Sequence, residues 1–247
     1  MTAGRFKDHF SGHAGDYAAH RPRYPDSLFE FLSSLAPSRE IAWDCGTGNG
    51  QAARSLAPYF KKVIATDASA EQVASAPAAD GVEYRVAPAE SSGLETESID
   101  LITVAQALHW FEIDAFFDEA KRVLKAGGIL AVWCYERCRI DDSVNDVIER
   151  VFAEVEPYWP PERDIVESGY RSIRLPFDPI EAPPFFMRVS WTAEAMLGYM
   201  QTWSASRRYH DACGSEATAP HAQKLRQAWG EGERTVAWPL RLKIARK

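Results

Sequence analysis

The chain has 247 residues, 46% of them hydrophobic, and a formal net charge of −7. That length supports one sizeable core, with or without an insertion, and an acidic chain without a basic stripe is a poor match for nucleic acid. Cys45, Cys134, Cys138 and Cys213 lack CxxC spacing and read as reduced thiols. The start, "MTAGRFKDHFSG", lacks the apolar stretch of a signal peptide, and the longest apolar run, "ILAVWCY" (129–135), is too short to span a bilayer. The expectation is a cytoplasmic protein with neither a membrane nor a nucleic-acid partner.

From Leu28 onward, helical and extended segments alternate. "LFEFLSSLA" has helical spacing, "IAWD" reads as a short buried strand, and "QAARSLAPYF" as a helix. "KVIATD" (strand), "SAEQVASA" (helix) and "VEYRVA" (strand) follow. "IDLITVA" is a fourth strand and "DAFFDEAKRVLKA" the helix after it, with Gly127-Gly128 expected to stop that helix. "ILAVWCY" is the fifth strand. Regular alternation of this kind predicts a parallel sheet covered on both faces. After Tyr135 the rhythm changes. "SVNDVIERVFAEVEPYW" reads as an amphipathic helix, "PPFFMRVSW" as a strand, and "AEAMLGYMQTWSASRRY" and "APHAQKLRQAWG" as two helices. "RTVAWPLRLKIARK" alternates like an edge strand, a position that also suits Pro239.

Between the first strand and its helix lies "DCGTGNG", residues 44–50, with glycine at 46, 48 and 50. In an open parallel sheet, ligands bind at the carboxyl ends of the strands. A dinucleotide turn would show G-x-G-x-x-G; here the spacing differs and Asp44 stands ahead of it. A carboxylate there repels pyrophosphate but suits a ligand carrying an ammonium and a sulfonium. A ligand-free turn is the plain alternative. Asp67, ending "KVIATD", sits about twenty residues beyond the glycines, where a carboxylate can accept hydrogen bonds from both ribose hydroxyls. Its plainer role would be to start the next helix, where Ser69 and Gln72 could form a capping box.

These segments together resemble the class I S-adenosylmethionine-dependent methyltransferases, in the methyltransferase type 11 or trans-aconitate methyltransferase-like branch. "DCGTGNG", "ATDAS", "VAPAE", "SIDLITVAQALHWF" and "EAKRVLKAGGILAVWCY" resemble its successive motifs, and "YAAHRPRYP" and "YMQTWSAS" narrow the match to that branch. The resemblance implies a Rossmann-like, doubly wound, mostly parallel sheet of seven strands with an antiparallel last strand and a helical cap. It divides the chain into a cofactor-covering segment (1–27), a core (28–138), a cap with the sixth strand (139–232) and a final edge strand (233–247). It implies S-adenosyl-L-methionine as cofactor, held by Asp44, Cys45, Gly46, Gly48 and Gly50, by Asp67, Ala68 and Gln72, by Ala89 and Glu90, and by Ala105 and Gln106. It further implies that the N-terminal piece folds over the cofactor, with Tyr17 and Arg21 on one face and Arg21 on the cofactor carboxylate. Two departures stand out. Pro88 takes the place where many relatives carry an adenine-binding aspartate, so adenine would rest on backbone near Ala89 and on residues near Ala68. "KAGG" also replaces the commoner Lys-Pro-Gly-Gly.

No Asn/Asp-Pro-Pro-Tyr/Phe follows the fourth strand, so a small-molecule methyl acceptor is expected rather than a nucleic-acid base. His109 stands where the methyl group should emerge and is a candidate general base; its plain alternative is a helix-start histidine bonded to backbone. A carboxylate acceptor would need no base. Trp110, Tyr158, Trp159 and Trp203 are candidate pocket walls, although such aromatics are more often core. Arg207 and Arg208 could meet an acceptor carboxylate. His9 and His13 are four apart but lack the glutamate and third ligand of a metal site, so no metal is expected. The rival readings are a nicotinamide-dependent oxidoreductase and a cofactor-binding regulator without turnover. The sequence does not set the oligomeric state.

Overall fold

Strands buried on both faces need apolar side chains at consecutive positions, and Ile41–Cys45 (β1), Lys62–Asp67 (β2) and Ile99–Ala105 (β4) supply them. The structure, a computed structural model, describes residues 22–161 and 163–247. With Val82–Val86 (β3) and Leu124–Tyr135 (β5), these strands pair in parallel in the order β3-β2-β1-β4-β5. Alternate residues feed two cores. Ala42, Val63, Leu101 and Trp133 face one, with Asp26–Leu35 (α1) and Gln51–Leu56 (α2) packed over it. Trp43, Ile64, Ile102 and Val132 face the other, beneath Phe116 and Ala120 of Ile113–Val123 (α4). Ala70–Ser75 (α3) links β2 to β3, and Ser69 caps it by accepting from the Gln72 N–H at 3.3 Å.

The rest of the chain builds a cap. Asp142–Val155 (α5) begins at Asp141, whose carboxylate accepts from the Val144 N–H at 3.1 Å. Its buried Val144, Val147, Ile148, Val151, Phe152 and Val155 fall at helical spacing on one stripe. Arg163–Glu167 (α6), Ala193–Gln201 (α7), Ser204–Cys213 (α8) and Ala222–Trp229 (α9) follow. The core beneath α1 runs without a break into Met196, Met200 and Trp229, which ties the cap to the sheet.

Four expectations change. Gly127 does not stop α4, which ends at Val123; Leu124 is fully buried and already paired with Ile99 as the start of β5. The pairing then jumps to Leu101 with Ile129, so residues after Leu124 bulge, and Gly127 supplies the positive φ, 76°, that this bulge uses. Secondly, Arg234–Arg246 (β8) is an interior strand: it pairs antiparallel with β5 on one side and with Asp178–Ile180 (β6) and Phe186–Trp191 (β7) on the other. Pro239 is tolerated there because it lies just past the last β5 pair, Tyr135 with Leu240, while its carbonyl still accepts from the Glu136 N–H at 3.0 Å.

Thirdly, the sixth strand of the expected seven is split. β6 and β7 follow one register along β8 with a single extra residue between them, and Pro183-Pro184, lacking N–H groups, fall in the gap. Lastly, the long helix expected over 193–209 breaks at Thr202-Trp203. Trp203 turns extended and sets its ring against Phe152, Trp159 and Tyr199, while Thr202 and Ser206 hydroxyls donate to the carbonyls of Tyr199 and Met200, which also accept the Thr202 and Trp203 N–H groups. Among the described residues, no helix is long and apolar enough to cross a membrane.

Candidate cofactor and acceptor site

The three glycines after β1 all have positive φ, 68°, 55° and 80°, but for different reasons. A Cβ at Gly46 would come within 2.6 Å of Ala107 Cβ, and one at Gly50 would overlap the Tyr84 hydroxyl, so both are needed for close packing of the turn. A Cβ at Gly48 meets, among the described residues, nothing nearer than Gln72 Oε1 at 3.7 Å. That is the open side of the turn, at the carboxyl ends of β1 and β2.

Two carboxylates frame it. Asp44 is fully buried, and its oxygens accept from the Thr47 hydroxyl at 2.5 Å and the Thr103 hydroxyl at 2.7 Å. Burial is the main influence and lifts its carboxyl to about 6 against the pull of those hydrogen bonds. Its charge is thus held inside the turn rather than offered at the surface. Asp67 stands at the end of β2. It accepts from the Gly48 N–H at 2.8 Å and the Ser69 N–H at 2.9 Å, one on each oxygen, and so fastens the glycine turn to the second strand. The Cys45 thiol is buried, and desolvation raises its pKa well above the usual range, so it is packing and not a nucleophile. Ala68 is exposed, Ala89 is buried, and Glu90 accepts from the Glu112 N–H at 2.9 Å.

Beyond Ala105, at the end of β4, the backbone turns sharply. Gln106 has φ 56°, unusual without glycine, and is clamped from β5: its N–H donates to Trp133 O at 2.8 Å and its Oε1 accepts from the Tyr135 N–H at 3.1 Å. The turn leads into a short 3-10 segment, Leu108–Trp110. His109 Nδ1 lies 3.0 Å from the Tyr170 hydroxyl, and its ring is 4.7 Å from that of Trp110. Phe111 packs on Phe116 and against Gly46, which makes it a prop of the turn. In the sequence "SGYRS" offers no motif; only the fold brings Tyr170 to His109.

The cap aromatics gather with one another. Trp159 stacks on Phe152 at 5.6 Å and lies 6.0 Å from Trp203, while Tyr158 packs edge-on to Tyr209. Arg208 donates to the Tyr158 carbonyl at 3.3 Å. Past the end of β5, between α5 and α6, lies a cavity of about 380 Å³, lined by Tyr135, Arg137, Cys138, Asn145, Arg163 and Glu167 among others. Arg137 pairs there with Glu149 and with Glu167, the latter at 3.1 Å, so its charge is internally balanced. Tyr17, Arg21, His9 and His13 lie outside the described residues.

The strand order, the antiparallel strand beside β5 and the glycine turn at the carboxyl end of β1 together define the class I methyltransferase architecture. The comparisons agree. Residues 43–132 match the family described as a methyltransferase domain. A Dictyostelium discoideum protein named as a methyltransferase is 38% identical over 209 residues, covering 82% of this chain and 79% of that one. A Saccharomyces cerevisiae protein named as S-adenosylmethionine-dependent is 32% identical over 124 residues, 47% of this chain and 43% of that one. A solved structure from Anaeromyxobacter dehalogenans, titled as a type II methyltransferase, superposes with a TM-score of 0.87 at 42% identity, covering 92% and 97% of the two chains. The chain belongs to the S-adenosylmethionine-dependent methyltransferases, and its cofactor is S-adenosyl-L-methionine. The residues present fit that cofactor, because the position a side chain would fill at Gly48 meets nothing nearer than Gln72 Oε1 and the Asp67 carboxylate is bonded to the Gly48 N–H.

Proposed function

We propose that this enzyme methylates a small organic molecule at oxygen, on a carboxylate or a hydroxyl. The observation that carries the reading is the cavity of about 380 Å³ beyond β5. Pockets of roughly 300–1,000 Å³ suit small molecules, and this one is lined by Tyr135, whose N–H donates to Gln106 Oε1. The net charge of −7 also argues against nucleic acid.

In this reading Gly48 gives backbone room to the methionyl part of the cofactor, Gly46 and Gly50 let the turn pack tightly behind it, and Asp67 accepts from the ribose hydroxyls. Asp44 acts at short range through its charge, favouring a cationic ligand. Ala68, Gln72, Ala89 and Glu90 border the adenosine, and Ala105, Gln106, His109 and Trp110 border the reacting end. Bound S-adenosyl-L-methionine supplies an electrophilic methyl group on a sulfonium. The chain's contribution is to hold an acceptor oxygen in line with that methyl, which accounts for much of the acceleration in such transfers.

The test is transfer of labelled methyl to a panel of small carboxylic acids, alcohols and amines. Label released as methanol by mild alkali supports a carboxylate acceptor. Label retained in an alkali-stable ether also keeps the oxygen reading. Label only on amines sinks it. Calorimetric binding of S-adenosylhomocysteine without any transfer favours the regulator. The family assignment already removes the nicotinamide alternative.

A further inference from the structure

We propose that two copies of this chain join along the outer edge of β3, antiparallel and two-fold symmetric about Tyr84, into one continuous sheet.

The bonds β3 already makes fix which groups it has to spare. It ends the strand order and, among the described residues, pairs on one side only, with β2. The Gly81 carbonyl accepts from the Val63 N–H at 2.8 Å, and the Ala87 N–H donates to the Asp67 carbonyl at 3.0 Å. Alternate residues of a strand turn their backbone groups to the same neighbour. Residues 81, 83, 85 and 87 therefore serve β2, while Val82, Tyr84 and Val86 turn theirs outward. The Val82 N–H is taken by the Ala79 carbonyl at 3.2 Å. Both groups of Tyr84, both of Val86 and the Val82 carbonyl remain for a further strand. Proteins usually blunt such an edge with proline, lysine or a bulge. The segment "VEYRV" has none of these and keeps an unbroken register from Val82 to Val86.

Symmetry and charge choose the occupant. An edge can take an extended segment of any chain, but β3 reads as its own complement. About a two-fold axis at Tyr84, each Tyr84 N–H donates to the other Tyr84 carbonyl, and each Val86 N–H donates to the partner's Val82 carbonyl. Glu83 then stands directly opposite the partner's Arg85, at the close pair that makes no backbone bonds. A slip of two residues either way keeps the same outward groups but sets Glu83 against Glu83 or Arg85 against Arg85, and like charges directly opposite are unfavourable. A slip of one turns the bonding groups away from each other. One register survives. Within a single copy Glu83 pairs with Arg85 at 2.7 Å and with Lys62 at 2.6 Å. The dimer exchanges the first of these contacts for its counterpart across the axis, so the backbone bonds supply the gain and the charges supply the register.

The other face of the strand agrees. Among the described residues, Val86 is the one large apolar side chain left exposed, at 55%. In this register it lies opposite the partner's Val82. Tyr84, on the axis, has its hydroxyl where a side chain at Gly50 would stand, while β1 and its turn lie two strands in from the joined edge. The contact thus backs the glycine turn without covering it.

Sedimentation equilibrium at low ionic strength, over a wide range of protein concentration, should show the native chain passing from monomer to dimer. Glu83→Arg and Arg85→Glu each create two like-charge contacts across the axis and should weaken association by roughly tenfold or more. Mixed in equal amounts, the two variants place opposite charges at both contacts, and the dimer should return as a pair of unlike copies. Circular dichroism checks that each variant is folded. A native chain that stays monomeric overturns the proposal, as do variants that associate like the native chain or a mixture that stays monomeric. Should a variant not fold, hydrogen exchange on the native chain decides: the Tyr84 and Val86 amides should slow as concentration rises, and exchange independent of concentration overturns the proposal.

Discussion

Gly46, Gly48 and Gly50 look alike in the sequence and behave differently in the structure, which makes their substitutions informative. Gly48→Val places its branches in the open side of the turn, in a backbone conformation that costs a non-glycine residue roughly 1–2 kcal/mol. The protein should fold and lose measurable binding of S-adenosylhomocysteine in calorimetry. Gly50→Ala, meeting Tyr84, should lower the thermal midpoint even in the absence of cofactor. Asp67→Ala should weaken cofactor binding by roughly 2–4 kcal/mol, since charged hydrogen bonds are lost and the Gly48 N–H is released with them. Unchanged calorimetric affinity in a folded Asp67→Ala protein would remove that residue from the site. Asp44 poses the opposite trade. Its raised pKa means that ionisation costs the folded state on the order of 3 kcal/mol at neutral pH. Asp44→Asn should therefore unfold no more easily at pH 7 to 8 while binding a cationic cofactor less tightly, with denaturant midpoints and calorimetry as the paired measurements.

At the scale of elements, α5 depends on its first turn. Asp141 caps it, is joined by Ser143 at 2.7 Å, and also pairs with Arg234 of β8. Removing such a cap costs roughly 0.5–2 kcal/mol, so Asp141→Ala should shift the denaturant midpoint by about that much and leave cofactor affinity unchanged. Strands β1, β2 and β4 were legible because each is a short, largely apolar run bounded by turn residues, and the glycine turn because its spacing and the preceding aspartate are local. What the sequence hid was non-local. The two halves of the sixth strand are visible only against β8, and Asp178–Ile180 is too short to carry a period. The break at Trp203 follows from a ring that prefers the pocket of Phe152 and Trp159 to the helix, which no count along the chain can register. Pro239 suits an interior strand for a similar reason: although Phe186 of β7 is its partner, the N–H it lacks would face β5, whose last pair is Tyr135 with Leu240. His109 could be singled out by its place after β4, whereas its partner Tyr170 lies 61 residues away.

For the whole molecule, stability should depend on pH in two opposed ways. Asp100 is fully enclosed at the amino end of the sheet, accepting from Ser38, from the Glu40 and Ile41 N–H groups and from Lys125 at 2.8 Å. Glu119 accepts from the Ser92 N–H and hydroxyl and pairs with Arg122 at 2.7 Å. Burial alone would raise both, but these partners outweigh it, holding Asp100 below its usual value and Glu119 at about 2. Groups with depressed folded pKa values contribute stability that is present above their unfolded values and lost as pH falls through the folded ones. Asp44 is reversed, and its stability is greatest when protonated and declines as pH rises from about 4 to about 6. From these three groups, acidification should first firm the fold between pH 6 and 4 and then collapse it between about 4.5 and 2. Thermal midpoints measured across that range, with Asp44→Asn abolishing the first limb and Glu119→Gln softening the second, check the sign of each.

The interior place of β8 also sets a timetable for synthesis. Of the described strands it leaves the ribosome last, yet it is the one that closes β5 on one side and receives β6 and β7 on the other. Until it arrives, the nascent chain carries the long, apolar β5 with an unpaired rim, the kind of surface on which chains join one another. Pairing between distant segments is slow as well. Yield in a cell should therefore respond more to chaperone supply and to the rate of translation across the last strand than to any change in the stability of the finished protein.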